Sequence, residues 1–288
     1  MEHSTRPFDP EAFKAATRDQ WDRSAKGWND HTPAIRAWLR RATDAMIEMA
    51  GIRPGDRVLD IAAGSGDQTL DIAARVGPAG RVLATDLSPG ILAIAQENAR
   101  RAGLQQIETL VADGEHLPVE PASFDAAVCR LGLMFFPDPL QGLREMHRAV
   151  RAGGGVCTLV FSRPEANPCV GIVLSTALRH AGLPPRDPYQ PGGLLSLGKP
   201  GHLDELFRQA GFVQVASTRV EAPFELPSAG HYLAFLRASA SPIQQILAGL
   251  SPEAAEAAWA DIEQRLHGFD TERGWSGPNE LLLTAARR

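Results

Sequence analysis

Between residues 57 and 161 the chain switches repeatedly between short apolar runs and longer amphipathic stretches, and this alternation limits the fold more than any other feature. RVLDI at 57–61, RVLATD at 81–86, IETLV at 107–111, FDAAVCR at 124–130 and VCTLVF at 156–161 read as strands. Helical stretches separate them. One covers 68–76 and stops at Gly77-Pro78. A second is opened by Ser88-Pro89, a cap followed by a proline at the first helical position, and closes at Gly103. A third is opened by Asp138-Pro139, runs to about residue 150 and is closed by glycines 153–155. Strands alternating with helices predict a parallel sheet covered on both faces, where strands should be nearly continuous apolar runs, as these are.

The flanks read differently. Residues 11–50 form two helices broken near 30–33. Residues 164–200 are rich in proline and glycine around one apolar helix at 170–180. A helix at 202–210 precedes an alternating strand at 212–220, residues 228–268 are helical, and ELLLTA at 280–285 is a late strand expected to return to the same sheet. The expected organisation is an N-terminal helical cap (1–50), a ligand-binding core (51–163), insertions over the active site (164–200 and 222–278) and remaining sheet elements (201–221 and 279–288).

The apolar fraction of 44% suffices for a sizeable core, and a formal net charge of −5 gives no general attraction to nucleic acid or anionic membrane. With no apolar run of signal-peptide length or of the ~20 residues that span a bilayer, a cytoplasmic protein is expected. Cys129, Cys157 and Cys169 form no CxxC pair and match no zinc spacing, so they read as buried thiols and no metal is expected.

The most informative segment is Val58-Leu59-Asp60-Ile61-Ala62-Ala63-Gly64-Ser65-Gly66, a strand entering a turn of small residues before a helix. Small residues allow close approach of a ligand to the backbone, and the helix N-terminus offers free N–H groups to an anion. An ordinary tight strand–helix connection has the same appearance. Asp86 ends the second strand, twenty positions after Gly66. It can accept two hydrogen bonds from a ribose diol, or simply cap the helix that follows. These two elements fit NAD and S-adenosylmethionine (SAM) equally. Three details favour SAM: the third small residue of the dinucleotide fingerprint is Thr69, Asp60 would repel a pyrophosphate but suits an ammonium and a sulfonium, and Asp113-Gly114 at the third strand end can receive an adenine amino group.

LDIAAGSG resembles the first motif of class I SAM-dependent methyltransferases, and ATDLSPGILAIAQENA resembles their second. VADGEHLPVEPASFDAAVCRLGLMFFPDP and LREMHRAVRAGGGVCTLVF are similar to the central stretch of the ubiquinone/menaquinone-type (UbiE-like) group, so the resemblance spans about residues 55–162 in connected order. It implies an α/β fold: a Rossmann-like, doubly wound, mostly parallel seven-stranded sheet with helices on both faces, plus N-terminal helices and helical lid insertions. It also implies SAM as cofactor, S-adenosylhomocysteine as product and a small-molecule acceptor. Asp60, Ala62, Gly64 and Gly66 resemble the turn around the methionine moiety, Asp86 the ribose acid and Leu87 the adenine-packing residue. Asp113 and Gly114 resemble adenine contacts, and Arg130 a site-lining position. Ala62 and Ala63 depart from the usual pattern but remain small.

Trp21 and Trp28, seven apart, share a face if their helix continues through Gly27; that face either closes over the cofactor or simply packs on the core. Methyl transfer from a sulfonium is mainly a positioning problem, but an oxygen or nitrogen acceptor can require a base. His31 and His231 are the candidate bases, each also readable as a surface or capping histidine, and Arg130 is a further catalytic candidate. Leu131-Gly132-Leu133-Met134-Phe135-Phe136-Pro137 either lines a pocket or packs a loop. With the apolar helix at 170–180 it favours a hydrophobic acceptor such as a quinone or polyketide. A non-methylating SAM binder, such as a cyclase, would share the same cofactor pocket. The helical insertions could form a lid or a homodimer interface.

Overall fold

The computed structural model describes residues 9–288; residues 1–8, part of the expected cap and of the polar N-terminus, lie outside the described residues. The five apolar runs become five parallel strands: β1 (Arg57–Ile61), β2 (Arg81–Asp86), β3 (Ile107–Val111), β4 (Phe124–Arg130) and β5 (Val150–Phe161). β6 (Val213–Glu221) and β10 (Glu280–Arg287) extend them into a seven-stranded sheet of order β3-β2-β1-β4-β5-β10-β6. The late strand inserts antiparallel between β5 and β6, pairing Leu281 with Phe161 and with Val220.

The glycines at 153–155 do not end a helix in a turn as expected. β5 begins at Val150, opposite Phe124, and runs through them with a register shift. Gly155 is required because the Ala50 carbonyl and the Arg287 guanidinium occupy the space a side chain would need.

Helices cover both faces as the alternation predicts: α3 (Asp67–Val76), α4 (Pro89–Arg101), α5 (Pro139–Ala149) and α7 (His202–Gln209). Ser88 Oγ accepts from the Ile91 amide at 3.1 Å and Asp138 Oδ1 from the Gln141 amide at 3.0 Å, so both expected caps form. α1 (Pro10–Asp30) and α2 (Thr32–Ala50) are the N-terminal helices. α2 buries Ile35, Trp38, Leu39, Ala42 and Met46 on one stripe, the 3.6-residue period of a core-facing helix.

α6 (Pro168–His180), α8 (Ala229–Ser239), α9 (Ser241–Leu247) and α10 (Pro252–Leu266) lie in the expected insertions. The stretch 222–278, expected as helix and loop, also carries three short strands: β7 (Phe224–Leu226), β8 (Asp270–Thr271) and β9 (Gly274–Gly277), forming a second sheet of order β7-β9-β8. Its buried Trp275 donates from Nε1 to the Leu266 carbonyl at 2.8 Å and stacks on Tyr232, with ring centres 4.6 Å apart. No helix among the described residues is long and apolar enough to cross a membrane.

Candidate active site

Strand order reverses between β1 and β4, the point at which an open α/β sheet leaves room for a ligand. A cavity of about 820 Å³ lies there, over the carboxyl ends of β1 to β4. Ala62 and Gly64 line it after β1, Asp86 and Leu87 at β2, Asp113 and Gly114 after β3, and Arg130 at β4. α1, α6, α8 and α9 close over the cavity, contributing Trp28, Val173, Tyr232 and Ile243 among others. The backbone is strained on both sides of the reversal: Ala62 has φ +54° and Leu131 φ +56°, left-handed values that non-glycine residues rarely adopt.

Asp86 stands beside this turn. Its Oδ2 accepts from the Gly64 amide at 3.0 Å and its Oδ1 from the Ser88 amide at 2.9 Å, leaving acceptor capacity on both oxygens. Burial pushes its carboxyl up to about 6, against the pull of those amides.

Asp60 is fully buried and does not line the cavity. Its carboxylate accepts from Thr69 Oγ1 at 2.6 Å and from Gln68 Nε2 at 3.2 Å, and burial pushes it up to about 6. Thr69 therefore stands at the dinucleotide fingerprint's third position as the partner of a buried acid. Gln68, which does line the cavity, is what Asp60 orients. The acid expected to contact the ligand is thus bonded to protein.

Gly66 is placed similarly. It is absent from the cavity wall, its φ is +81°, and a side chain there would press on Ala95 of α4.

Arg130 reaches the cavity but is held by protein. Nη2 donates to Asp67 Oδ2 at 2.7 Å and Nη1 to Thr43 Oγ1 at 3.0 Å, while Asp67 also pairs with Arg36 at 2.9 Å. At β3, Lys14 of α1 is buried with its Nζ 2.7 Å from both Asp113 Oδ2 and Glu115 Oε2. The Asp113 carboxylate expected to face adenine is thus already shared with a lysine. Burial alone would raise it, but hydrogen bonds from Lys14, the Glu115 amide and His116 outweigh that and hold it below the usual range.

Neither candidate base is brought to the cavity. His31 joins α1 to α2 with Nδ1 2.7 Å from the Gly27 carbonyl, and His231 sits in the first turn of α8 with Nδ1 2.8 Å from Ser228 Oγ. Neither lines the wall, although the His31 ring packs edge to face on Phe235, which does. α1 does continue through Gly27, where the Ala238 carbonyl of α8 leaves no room for a side chain, and Trp21 and Trp28 meet edge to face at 5.5 Å. In the loop after β4, Leu133 is core while Met134, Phe135, Phe136 and Pro137 line the cavity.

Residues 35–172 match the family described as the ubiE/COQ5 methyltransferase family. Over this segment the chain is similar to that family. Its relatives include the demethylmenaquinone methyltransferase of Bacillus cytotoxicus, 36% identical over 45% of this chain and 53% of that protein. Another is the ubiquinone/menaquinone biosynthesis C-methyltransferase UbiE of Hahella chejuensis, 39% identical over 47% and 53%. The chain thus spans about half the length of the curated relatives it matches. Among solved structures, the YcgJ protein of Bacillus subtilis superposes with a TM-score of 0.57 at 18% identity, over 86% of this chain and 99% of that one. The [4+2]-cyclase SpnF superposes with a TM-score of 0.53 at 23% identity, over 86% and 80%. These two likenesses show the fold alone.

The family segment stops at residue 172, so it holds the strand-end residues but not α8, α9 or the small sheet. Lys14, Tyr232 and Asn279 line the cavity from outside it, and sequence reading did not single them out. A lone lysine on a polar helix, or a tyrosine beside the histidine that attracted notice, carries no local signal.

Proposed function

We propose that this chain is a SAM-dependent methyltransferase acting on a small apolar acceptor. The observation that carries the reading is Asp86, an acid at the end of β2 with one amide donor on each oxygen and acceptor capacity left over, beside the small-residue turn at Ala62 and Gly64. The residues suit the cofactor: Asp86 would take the ribose hydroxyls, Leu87 and Gly114 would flank adenine, and the turn with Gln68 would hold the amino-acid end. Acidic side chains near these positions suit a ligand carrying two positive centres. When bound, SAM supplies an electrophilic methyl group on sulfur. The protein's part is to position the acceptor and exclude water, which the aromatic face of α1 and the roof of α8 and α9 can do.

The acceptor class follows from the lining: Phe135, Trp38, Phe161, Phe224 and Phe235 give a wide aromatic surface. Ring compounds of the quinol or polyketide type match it, and the curated relatives named for ubiquinone and menaquinone biosynthesis support the choice. Three buried free cysteines fit a reducing cytoplasm as the place of the reaction.

The test is a thermal melt with SAM, S-adenosylhomocysteine and NAD, beside Asp86→Ala. A ligand at 100 times its Kd adds about 2.7 kcal/mol. The reading expects both sulfur ligands to stabilise the wild type, NAD to do nothing and the variant to respond weakly; stabilisation by NAD alone would overturn it. Product mass then separates methyl transfer, a gain of one methylene, from a cyclase that returns an isomer.

A further inference from the structure

Most polar side chains on the cavity wall are already bonded to protein. Gln68 donates to Asp60 and to the Ala63 carbonyl, Trp38 Nε1 to the Ala222 carbonyl at 2.8 Å, and Ser239 Oγ to the Phe235 carbonyl at 2.6 Å. Tyr232 is different. Only 6% exposed, it lines the cavity from α8, and its hydroxyl has no hydrogen-bond partner among the described residues. Nor is that oxygen sealed in the core: the sealed, unpartnered side-chain atoms among the described residues belong to Thr32, Ser65 and Thr158. A tyrosine hydroxyl left unpaired in an apolar wall is costly unless something from the cavity meets it.

The ring is held firmly while the hydroxyl is left free. Trp275 stacks on it at 4.6 Å and Phe224 meets it edge-on at 5.6 Å. It ends a continuous aromatic wall. Phe135 touches Trp21 at 6.2 Å, Trp21 touches Trp28 at 5.5 Å, Trp28 touches Phe235 at 5.9 Å and Phe235 touches Phe224 at 5.2 Å. Burial raises the phenol above its ordinary range, so at neutral pH it is a hydrogen-bond donor and not a base.

We propose that Tyr232 positions the methyl acceptor, its hydroxyl donating a hydrogen bond to an oxygen of an apolar ring compound lying along this aromatic wall. The inference rests on the reading of an apolar acceptor given above and narrows it to ring compounds that carry a carbonyl or hydroxyl oxygen. Tyr232 is a positioning residue, which selects the molecule and aligns its reacting atom.

The experiment compares 1-tetralone, a bicyclic ketone, with tetralin, the same skeleton without oxygen. Both are bound by equilibrium dialysis to wild type and to Tyr232→Phe. The variant keeps the ring and its stacking partners and removes only the hydroxyl. The ratio of tetralone to tetralin affinity should fall about fivefold in the variant, the size of one neutral hydrogen bond. The melting temperature should not fall, because the hydroxyl bonds no protein group. An unchanged ratio overturns the proposal, as does failure of the wild type to bind either probe. A lower melting temperature with an unchanged ratio would make Tyr232 purely structural. SAM binding is measured separately on both proteins. Its absence in the wild type would sink the methyl-transfer reading and leave the probe ratio to decide the role of Tyr232.

Discussion

The Lys14 ammonium on α1 lies 2.7 Å from Oδ2 of Asp113 at the end of β3, so the helix that roofs the cavity is fastened to its floor by an ion pair. Glu115 shares the same ammonium and is almost wholly buried. Lys14→Met would leave two partly desolvated carboxylates without their cation, and we expect a loss of roughly 2–4 kcal/mol in a urea melt. Asp113 is held below its ordinary range, so the stability it contributes is present above the unfolded value near pH 4 and is lost as pH falls through the folded value. The variant should therefore show a flatter acid limb. A loss under about 0.5 kcal/mol, the size of a surface pair, would mean that the contact does not hold the helix.

Gly132 has an ordinary backbone conformation, yet a methyl there would collide with the methyl of Ala62 and crowd Cys129 Sγ. Ala62 is itself strained at φ +54°. Gly132→Ala should cost about 1–3 kcal/mol by overpacking, while Ala62→Gly should gain about 0.5–1 kcal/mol by relieving left-handed strain. Combined, they should cost less than the sum of the separate effects, because Ala62→Gly removes the colliding atom. Additive values in a double-mutant cycle would break the proposed coupling.

Asp60 offers a pH test. Burial raises its carboxyl to about 6, above its unfolded value near 4, so the native state holds the proton more tightly. Folding is thus favoured by this group at low pH, and its contribution declines as pH rises from about 4 to 6, by at most about 3 kcal/mol. Asp60→Asn lacks the titration. The stability difference between wild type and variant should shift against the wild type across that range and stay level above it. A difference independent of pH would show that the carboxylate is already ionised at pH 4.

Arg130 and Asp67 are both buried and paired at 2.7 Å. Arg130→Met leaves Asp67 with Arg36 alone and should cost roughly 2–3 kcal/mol in denaturant. Arg130→Lys restores the charge but not both of the hydrogen bonds that reach Asp67 and Thr43, so it should fall between the two. If the lysine variant melted like the methionine one, geometry rather than charge would be the arginine's contribution.

Much of the core could be read in advance because its signals are local. Apolar runs of strand length, Ser88-Pro89 and Asp138-Pro139 as helix starts, and Gly103 as a stop depend on backbone chemistry within a few residues. Those signals gave the strand boundaries at β1 to β4 and put Asp86 and Ala62 at strand ends over the cavity. The local reading failed where a residue's surroundings come from far along the chain. Glycines 153–155 look like a turn, yet they are strand: Gly155 pairs with Ala126 and Arg287, and Ala50 and Arg287 pack against it. Asp60 shows a nearer limit: Gln68 and Thr69, eight and nine residues on, bond its carboxylate, which the strand-end pattern does not reveal.

The sequence by itself determined the alternating sheet, the strand-end turn and the acid at 86, because hydrophobic periodicity and capping act at short range. Only the tertiary structure decided which side chains share the cavity. It turned His31 and His231 away, buried Lys14 against Asp113, and set Tyr232 on Trp275 with its hydroxyl free. Lys14 and Asp113 are 99 residues apart, and Tyr232 is held by a tryptophan in a strand that no periodic pattern announced. Such meetings depend on how helices and insertions pack over the sheet, and packing is fixed by the whole chain at once.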